Sequence, residues 1–96
     1  MIVYLAKNRA RPEMIETYEQ AFRTMAAEVK ATEPNALVYE LSRIPAEGPT
    51  MYRGFEVYPD EKALQEHIDG ITMRWLPILY DCLDREPEVE RYDDFV

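Results

Sequence analysis

TMYRGFEVYPDEKALQEHI, residues 50–68, changes its period halfway. From Thr50 to Tyr58 the residues alternate. Met51, Arg53, Phe55 and Val57 fall on one parity, and Tyr52, Gly54, Glu56 and Tyr58 on the other. A period of two marks a strand. After Pro59 the spacing becomes helical, with Ala63, Leu64, His67 and Ile68 on one face. Asp60 stands where a side-chain oxygen caps the first turn. A strand that passes straight into a helix through Pro59-Asp60 fixes the middle of the fold.

Upstream, residues 36–43 alternate again, with Leu37, Tyr39 and Leu41 opposite Val38, Glu40 and Ser42. The Pro45-to-Pro49 turn makes this strand and the next a hairpin. Residues 2–9 form a first strand. Ile2 to Ala6 are apolar on both parities, so neither face reads as solvated there. Asn8 continues the Ile2-Tyr4-Ala6 parity. A helix begins at Arg11-Pro12-Glu13, where proline suits the first turn. Ile15, Tyr18, Phe22, Met25, Ala26 and Val29 give it one apolar stripe. It stops near Ala31 or Thr32, because Glu33 precedes Pro34.

Downstream, Asp69-Gly70 ends the second helix. Residues 72–83 read as a third helix, with a kink or break at Pro77. Glu86-Pro87 is a linker, and residues 88–95 form the last strand, with Val89, Tyr92 and Phe95 apolar. The order strand, helix, strand, strand, split helix, strand is the ferredoxin-like split βαβ arrangement, an α+β fold with a four-stranded antiparallel sheet. The helices cover one sheet face. The other carries some combination of Val3, Leu5, Met51, Phe55 and Val57, too apolar to be left wet. Two such sheets packed face to face form a homodimer.

Composition narrows the functions. Ninety-six residues make one small domain, 1–96, with a thin core. Eleven Lys and Arg stand against 19 Asp and Glu, a formal charge of -8. Nucleic acid and anionic membranes need a positive face, so neither is an expected partner. One cysteine, Cys82, and one histidine, His67, cannot assemble the usual Cys/His zinc site. No apolar run approaches a membrane span, and the N-terminal run lacks the marks of a leader. The reading is an acidic cytoplasmic domain with no metal site.

Three stretches carry a family resemblance. They are Ala6-Lys7-Asn8-Arg9-Ala10-Arg11-Pro12-Glu13, Glu33-Pro34-Asn35-Ala36-Leu37-Val38-Tyr39-Glu40-Leu41, and Phe55-Glu56-Val57-Tyr58-Pro59-Asp60-Glu61-Lys62-Ala63-Leu64-Gln65-Glu66-His67-Ile68. In order and spacing they resemble the antibiotic biosynthesis monooxygenase (ABM) superfamily of dimeric α+β barrels. Pro87 to Tyr92 is similar to its closing strand. A Gly-Cys pair is more usual where Asn35-Ala36 stand here. The resemblance implies a homodimer with a ligand cavity in each subunit, between sheet and helices. It also implies oxidation of a phenol, quinol or anthrone by O₂ with no cofactor. Other members degrade haem, and others act on signalling molecules, so fold alone does not choose. The haem-degrading members have their proximal histidine at about the place of Pro77, and a tryptophan at about the place of His67. That departure weighs against haem chemistry. A noncatalytic dimeric domain that holds a small molecule is the alternative in a different class.

The candidate catalytic residues are His67 and Asn8. His67 has two readings: a general base for a phenolic substrate, or a core histidine bonded to a backbone carbonyl. Asn8 either donates to a developing oxyanion or caps a strand end. Phe22, Tyr39, Tyr52, Met73 and Trp75 are the candidate walls for a flat aromatic, and Trp75 also suits core packing. Glu56 matches the family's strand-end glutamate and reads as a structural acceptor at the dimer contact, with Arg53 or Arg43 as partner. Cys82, beside Asp81 and Asp84, reads as a small core residue.

Overall fold

A computed structural model describes residues 1–94. Strand β1 (Ile2–Arg9) leads through a 3₁₀ turn, Pro12–Met14, into helix α1 (Ile15–Thr32). Strands β2 (Val38–Arg43) and β3 (Met51–Tyr58) follow. Helix α2 (Glu61–His67) passes through a π-helical turn, Ile68–Thr72, into helix α3 (Met73–Cys82). Strand β4 (Glu88–Asp93) closes the chain. The Phe95 end of the expected last strand lies outside the described residues.

The sheet order is β2-β3-β1-β4, with every pair antiparallel. This is the expected α+β, ferredoxin-like arrangement. The register sets the faces. Ile2 pairs with Tyr58, Tyr4 with Glu56, Ala6 with Gly54 and Asn8 with Tyr52. Ile2 and Tyr58 pack on Ala63 and Leu64 of α2, and Tyr52 packs on Tyr18 of α1. This parity therefore faces the helices. Val3, Leu5, Met51, Phe55 and Val57 lie on the opposite, outer face. Phe55 is 38% exposed there.

Local signals explain most element ends. The Asp60 carboxylate accepts from the Ala63 N–H at 2.9 Å, the expected cap. Glu33 leaves helical geometry at φ -125°, ψ 78°, as the following proline demands. The helix end expected at Asp69-Gly70 and the break, one of two outcomes expected at Pro77, are both absent. Asp69-Gly70 does not end the second helix, because Ile71 is buried against Met25 and Val29 of α1. That burial keeps the chain helical with one residue inserted, a π turn rather than a stop. The helix also runs through Pro77 without a break. The irregularity sits a turn earlier, at Ile68–Thr72.

Candidate active site

The smallest side chains on the helix-facing side of the sheet meet at one place. Ala6 and Gly54 are paired in the centre of β1 and β3. A Cβ on Gly54 would stand 3.8 Å from that of Ala6 in ordinary contact, so the pair forms a low floor. Above it opens a cavity of about 180 Å³. Tyr4, Asn8, Tyr39 and Glu56 rise from the sheet around the floor. Tyr18, Phe22 and Met25 of α1 form one wall, with His67, Ile68 and Thr72 on another. Leu76, Leu79 and Tyr80 of α3 close the roof. Tyr80 and Val89, both about half exposed, flank the mouth.

The cavity has two polar ends in an apolar body. At one end, Asn8 Nδ2 donates to the Tyr18 hydroxyl at 2.8 Å. Asn8 Oδ1 is buried without a partner among the described residues. An orphaned buried acceptor is costly and calls for a donor. The N–H donor that the sequence suggests is thus engaged by Tyr18, and the carbonyl oxygen is the unpartnered atom. Burial pushes the Tyr18 phenol up to about 12, against the lowering effect of the Asn8 bond.

At the other end stands His67, 3% exposed. Its Nδ1 lies 2.6 Å from Glu33 Oε1, at the end of α1. Its Nε2 faces Glu56 Oε1 at 3.7 Å. Tyr58 donates its hydroxyl to the same Glu56 oxygen at 2.5 Å. Burial raises the Glu56 carboxyl above the ordinary carboxylate range. The Tyr58 bond and the imidazole pull it back, and the Glu33 charge adds to the rise. Burial, reinforced by Glu56, also holds the Tyr39 and Tyr58 phenols well above their ordinary range. The two carboxylates occupy opposite nitrogens of one ring, so they do not converge on a single ion. Among the described residues no cluster of His, Cys, Asp or Glu could hold a metal. Glu56 therefore meets Tyr58 and His67 on the helix side of the sheet, and neither Arg43 nor Arg53 partners it. Arg43 instead pairs with Glu19.

The structure brings Asn8, His67, Phe22 and Tyr39 of the candidate set to one cavity. Phe22 and Tyr39 stack with centroids 5.3 Å apart and planes 5° apart, giving a flat wall. The other three candidates lie elsewhere. Tyr52 packs edge-on against Tyr18, and its hydroxyl donates to Glu19 at 2.7 Å in a separate groove. Met73 is 58% exposed at the start of α3. Trp75 packs beside Ile71 and donates from Nε1 to Glu28 at 2.8 Å, on the α1–α3 contact. These two miss the cavity because the π turn rotates α3, so Leu76, Leu79 and Tyr80 face inward instead. The residues the sequence reading missed are Glu33, Tyr18 and Tyr58, together with the cavity-facing position of Glu56. One signal was legible: a glycine inside a strand marks a place where something comes close to the sheet.

Residues 1–72 match the antibiotic biosynthesis monooxygenase (ABM) family. No curated protein matches the chain. Among solved structures, a "putative antibiotic biosynthesis monooxygenase" from Caulobacter crescentus CB15 is similar at 28% identity. It superposes with a TM-score of 0.91 over 99% of this chain and 90% of its own. A conserved protein from Methanosarcina mazei Go1 is 27% identical, with a TM-score of 0.86 over 95% of this chain and 89% of its own. Rv0793 from Mycobacterium tuberculosis, 19% identical, shares the fold with a TM-score of 0.86 over 99% and 95% of the two chains. With three quarters of its length matched and the α+β sheet topology in place, the chain belongs to the antibiotic biosynthesis monooxygenase family.

Proposed function

We propose that the protein is a cofactor-independent monooxygenase that oxidises a small hydroxylated aromatic with O₂. The observation that carries this reading is the cavity itself: a compact apolar space with an orphaned acceptor at one end and a basic pair at the other. A cavity of about 150 Å³ is enough to take up benzene. At about 180 Å³, this one suits a single ring with small substituents, a phenol or simple quinol, rather than a polycyclic anthrone or haem.

Asn8 Oδ1 would receive one substrate hydroxyl. Phe22 and Tyr39 would lie along the ring face, where stacking favours a flat ligand. The His67–Glu56 end would take a proton from a ring hydroxyl. The resulting aryloxide is electron-rich and gives one electron to O₂. The aryloxyl radical and superoxide then combine, and loss of water from the hydroperoxide leaves a quinone. Apolar surroundings keep water from these intermediates.

The outer sheet face supports a homodimer in the same reading. Phe55 and Tyr92 are both exposed on it. A second copy would cover this surface.

Oxygen uptake with a panel of single-ring phenols and quinols tests the activity. The expected result is turnover that falls at least ~100-fold in His67→Ala, the scale of lost general-base catalysis. Uptake no higher than background across the panel removes the enzymatic reading. A copurified ligand that oxygen leaves unchanged, seen by native mass spectrometry, would mark a binding domain instead.

A further inference from the structure

We propose that Glu56, His67 and Glu33 form a proton path that carries the substrate's proton from the cavity to the protein surface, with Glu56 as the group that receives it. The inference rests on the single-ring hydroxyaromatic reading of the cavity and assigns the proton chemistry within it.

Both imidazole nitrogens already face carboxylates. Nδ1 is held by Glu33 and Nε2 is turned to Glu56. The ring lines the cavity, but with both nitrogens turned to carboxylates it exchanges a substrate proton by way of Glu56. Glu56 Oε1 is occupied by the Tyr58 hydroxyl. No side-chain donor among the described residues reaches Oε2, and Glu56 lines the cavity. Oε2 is thus the oxygen available to a substrate hydroxyl. Glu33 lies at the far end, on the loop that follows α1, and its side chain keeps 17% exposure. The Glu56 side chain is as exposed, at 18%, but it faces the cavity, so a single ring bridges one carboxylate inside the cavity and one outside it.

The step balances without any electron transfer. The substrate O–H bond breaks and an O–H bond forms on Glu56. The carboxyl then turns and gives the proton to Nε2, while the Nδ1 proton moves to Glu33. Glu33 releases it to solvent, leaving an aryloxide in the cavity and a neutral imidazole behind it. The 3.7 Å gap between Nε2 and Glu56 is beyond a hydrogen bond and closes by carboxyl rotation. Contacts of this kind tighten when substrate binds. The titratable groups packed around the ring are Glu33 after α1, Glu56 and Tyr58 on β3, and Tyr39 on β2. Both phenols are held neutral, so the two carboxylates alone exchange protons with the ring.

The probe is 4-nitrophenol, whose ionised form absorbs in the visible. Its ionisation midpoint in the site is measured for wild type, Glu56→Gln and Glu33→Gln. The midpoint is expected to rise by about one pH unit in each variant, a tenfold drop in the ionised-to-neutral ratio at fixed pH. Glu33 does not line the cavity, so its effect reaches the probe through the groups it faces, His67 by a hydrogen bond and Glu56 by charge. A purely structural Glu33 would weaken both forms of the probe alike and leave the midpoint in place, which overturns the path. The sole imidazole is followed in parallel by NMR without need of assignment. If the probe binds no variant and not the wild type, the single-ring reading of the cavity falls. The path is then decided by the imidazole alone. Its titration must shift in both Glu33→Gln and Glu56→Gln, and a His67 that responds to only one carboxylate overturns it.

Discussion

Two concave regions flank the α1–sheet contact, and they differ in the opposite sense from their size. The groove between α1 and β2 has a volume of about 640 Å³, while the cavity beneath α2 and α3 has about 180 Å³. In the groove, the central carboxylate is fully engaged. Glu19 binds Arg43 at 2.7 Å, Arg23 at 3.3 Å and the Tyr52 hydroxyl at 2.7 Å. Those contacts, led by the Arg43 bond, pull the Glu19 carboxyl down to about 2. In the cavity, Asn8 Oδ1 has no partner and Glu56 carries a raised carboxyl. A large groove whose central carboxylate is already paired has less to offer a ligand there. A small one with unsatisfied groups in apolar surroundings has both the need and the chemistry.

The largest expected effect separates the two regions by activity. Glu56→Gln should lower oxygen-dependent turnover at least ~100-fold, measured as O₂ uptake with the best substrate of the panel. Unchanged turnover would remove Glu56 from the chemistry. Next, Gly54→Leu raises the cavity floor and should weaken 4-nitrophenol binding at least tenfold by equilibrium titration. Equal binding would mean that the ligand sits elsewhere, with the larger groove the first alternative. Asn8→Leu should weaken the same probe about tenfold, the scale of one lost buried hydrogen bond.

The smallest effects concern stability, and here the two carboxylates have opposite signs. The folded value of Glu19 is depressed, so its contribution is fully present above pH 4.5 and is lost as pH falls towards 2. Glu19→Gln should therefore cost about 1–2 kcal/mol in urea unfolding at pH 7, with turnover unchanged. The folded value of Glu56 is raised, so its contribution is present at low pH and is lost as pH rises through that value. The Tm of Glu56→Gln relative to wild type should consequently rise between pH 4 and pH 8. A fall over that range would contradict the burial that defines this end of the cavity.

The fold was largely legible, because its signals are local. The parity of Ile2, Tyr4, Ala6 and Asn8 is a property of one strand and groups Asn8 with the other three without knowledge of any neighbour, although only the packing shows that this face meets the helices. The Asp60 cap and the Glu33-Pro34 stop depend on backbone geometry within a few residues. Half of the site was legible for the same reason: Asn8 and His67 each lie on the inward parity or stripe of their own element. The failures sit where one element's position depends on another. Met73 and Trp75 looked inward on a helix assumed to start afresh after Gly70. The burial of Ile71 against α1 instead joined the two helices through a π turn and set a different rotation.

Sequence by itself therefore determined the order of elements, the α+β class and the alternating residue sets of the first three strands. These follow from periods and caps that each segment carries internally. Tertiary structure decided which polar groups meet. Glu33, Glu56 and His67 lie on three different elements, and only the packing of α1 and α2 across β3 brings two carboxylates to opposite sides of one imidazole. It also decided that the Asn8 N–H is taken by Tyr18 while its carbonyl oxygen is left unpartnered. Hydrogen-bond satisfaction is a property of the whole neighbourhood, and no stretch of sequence contains it.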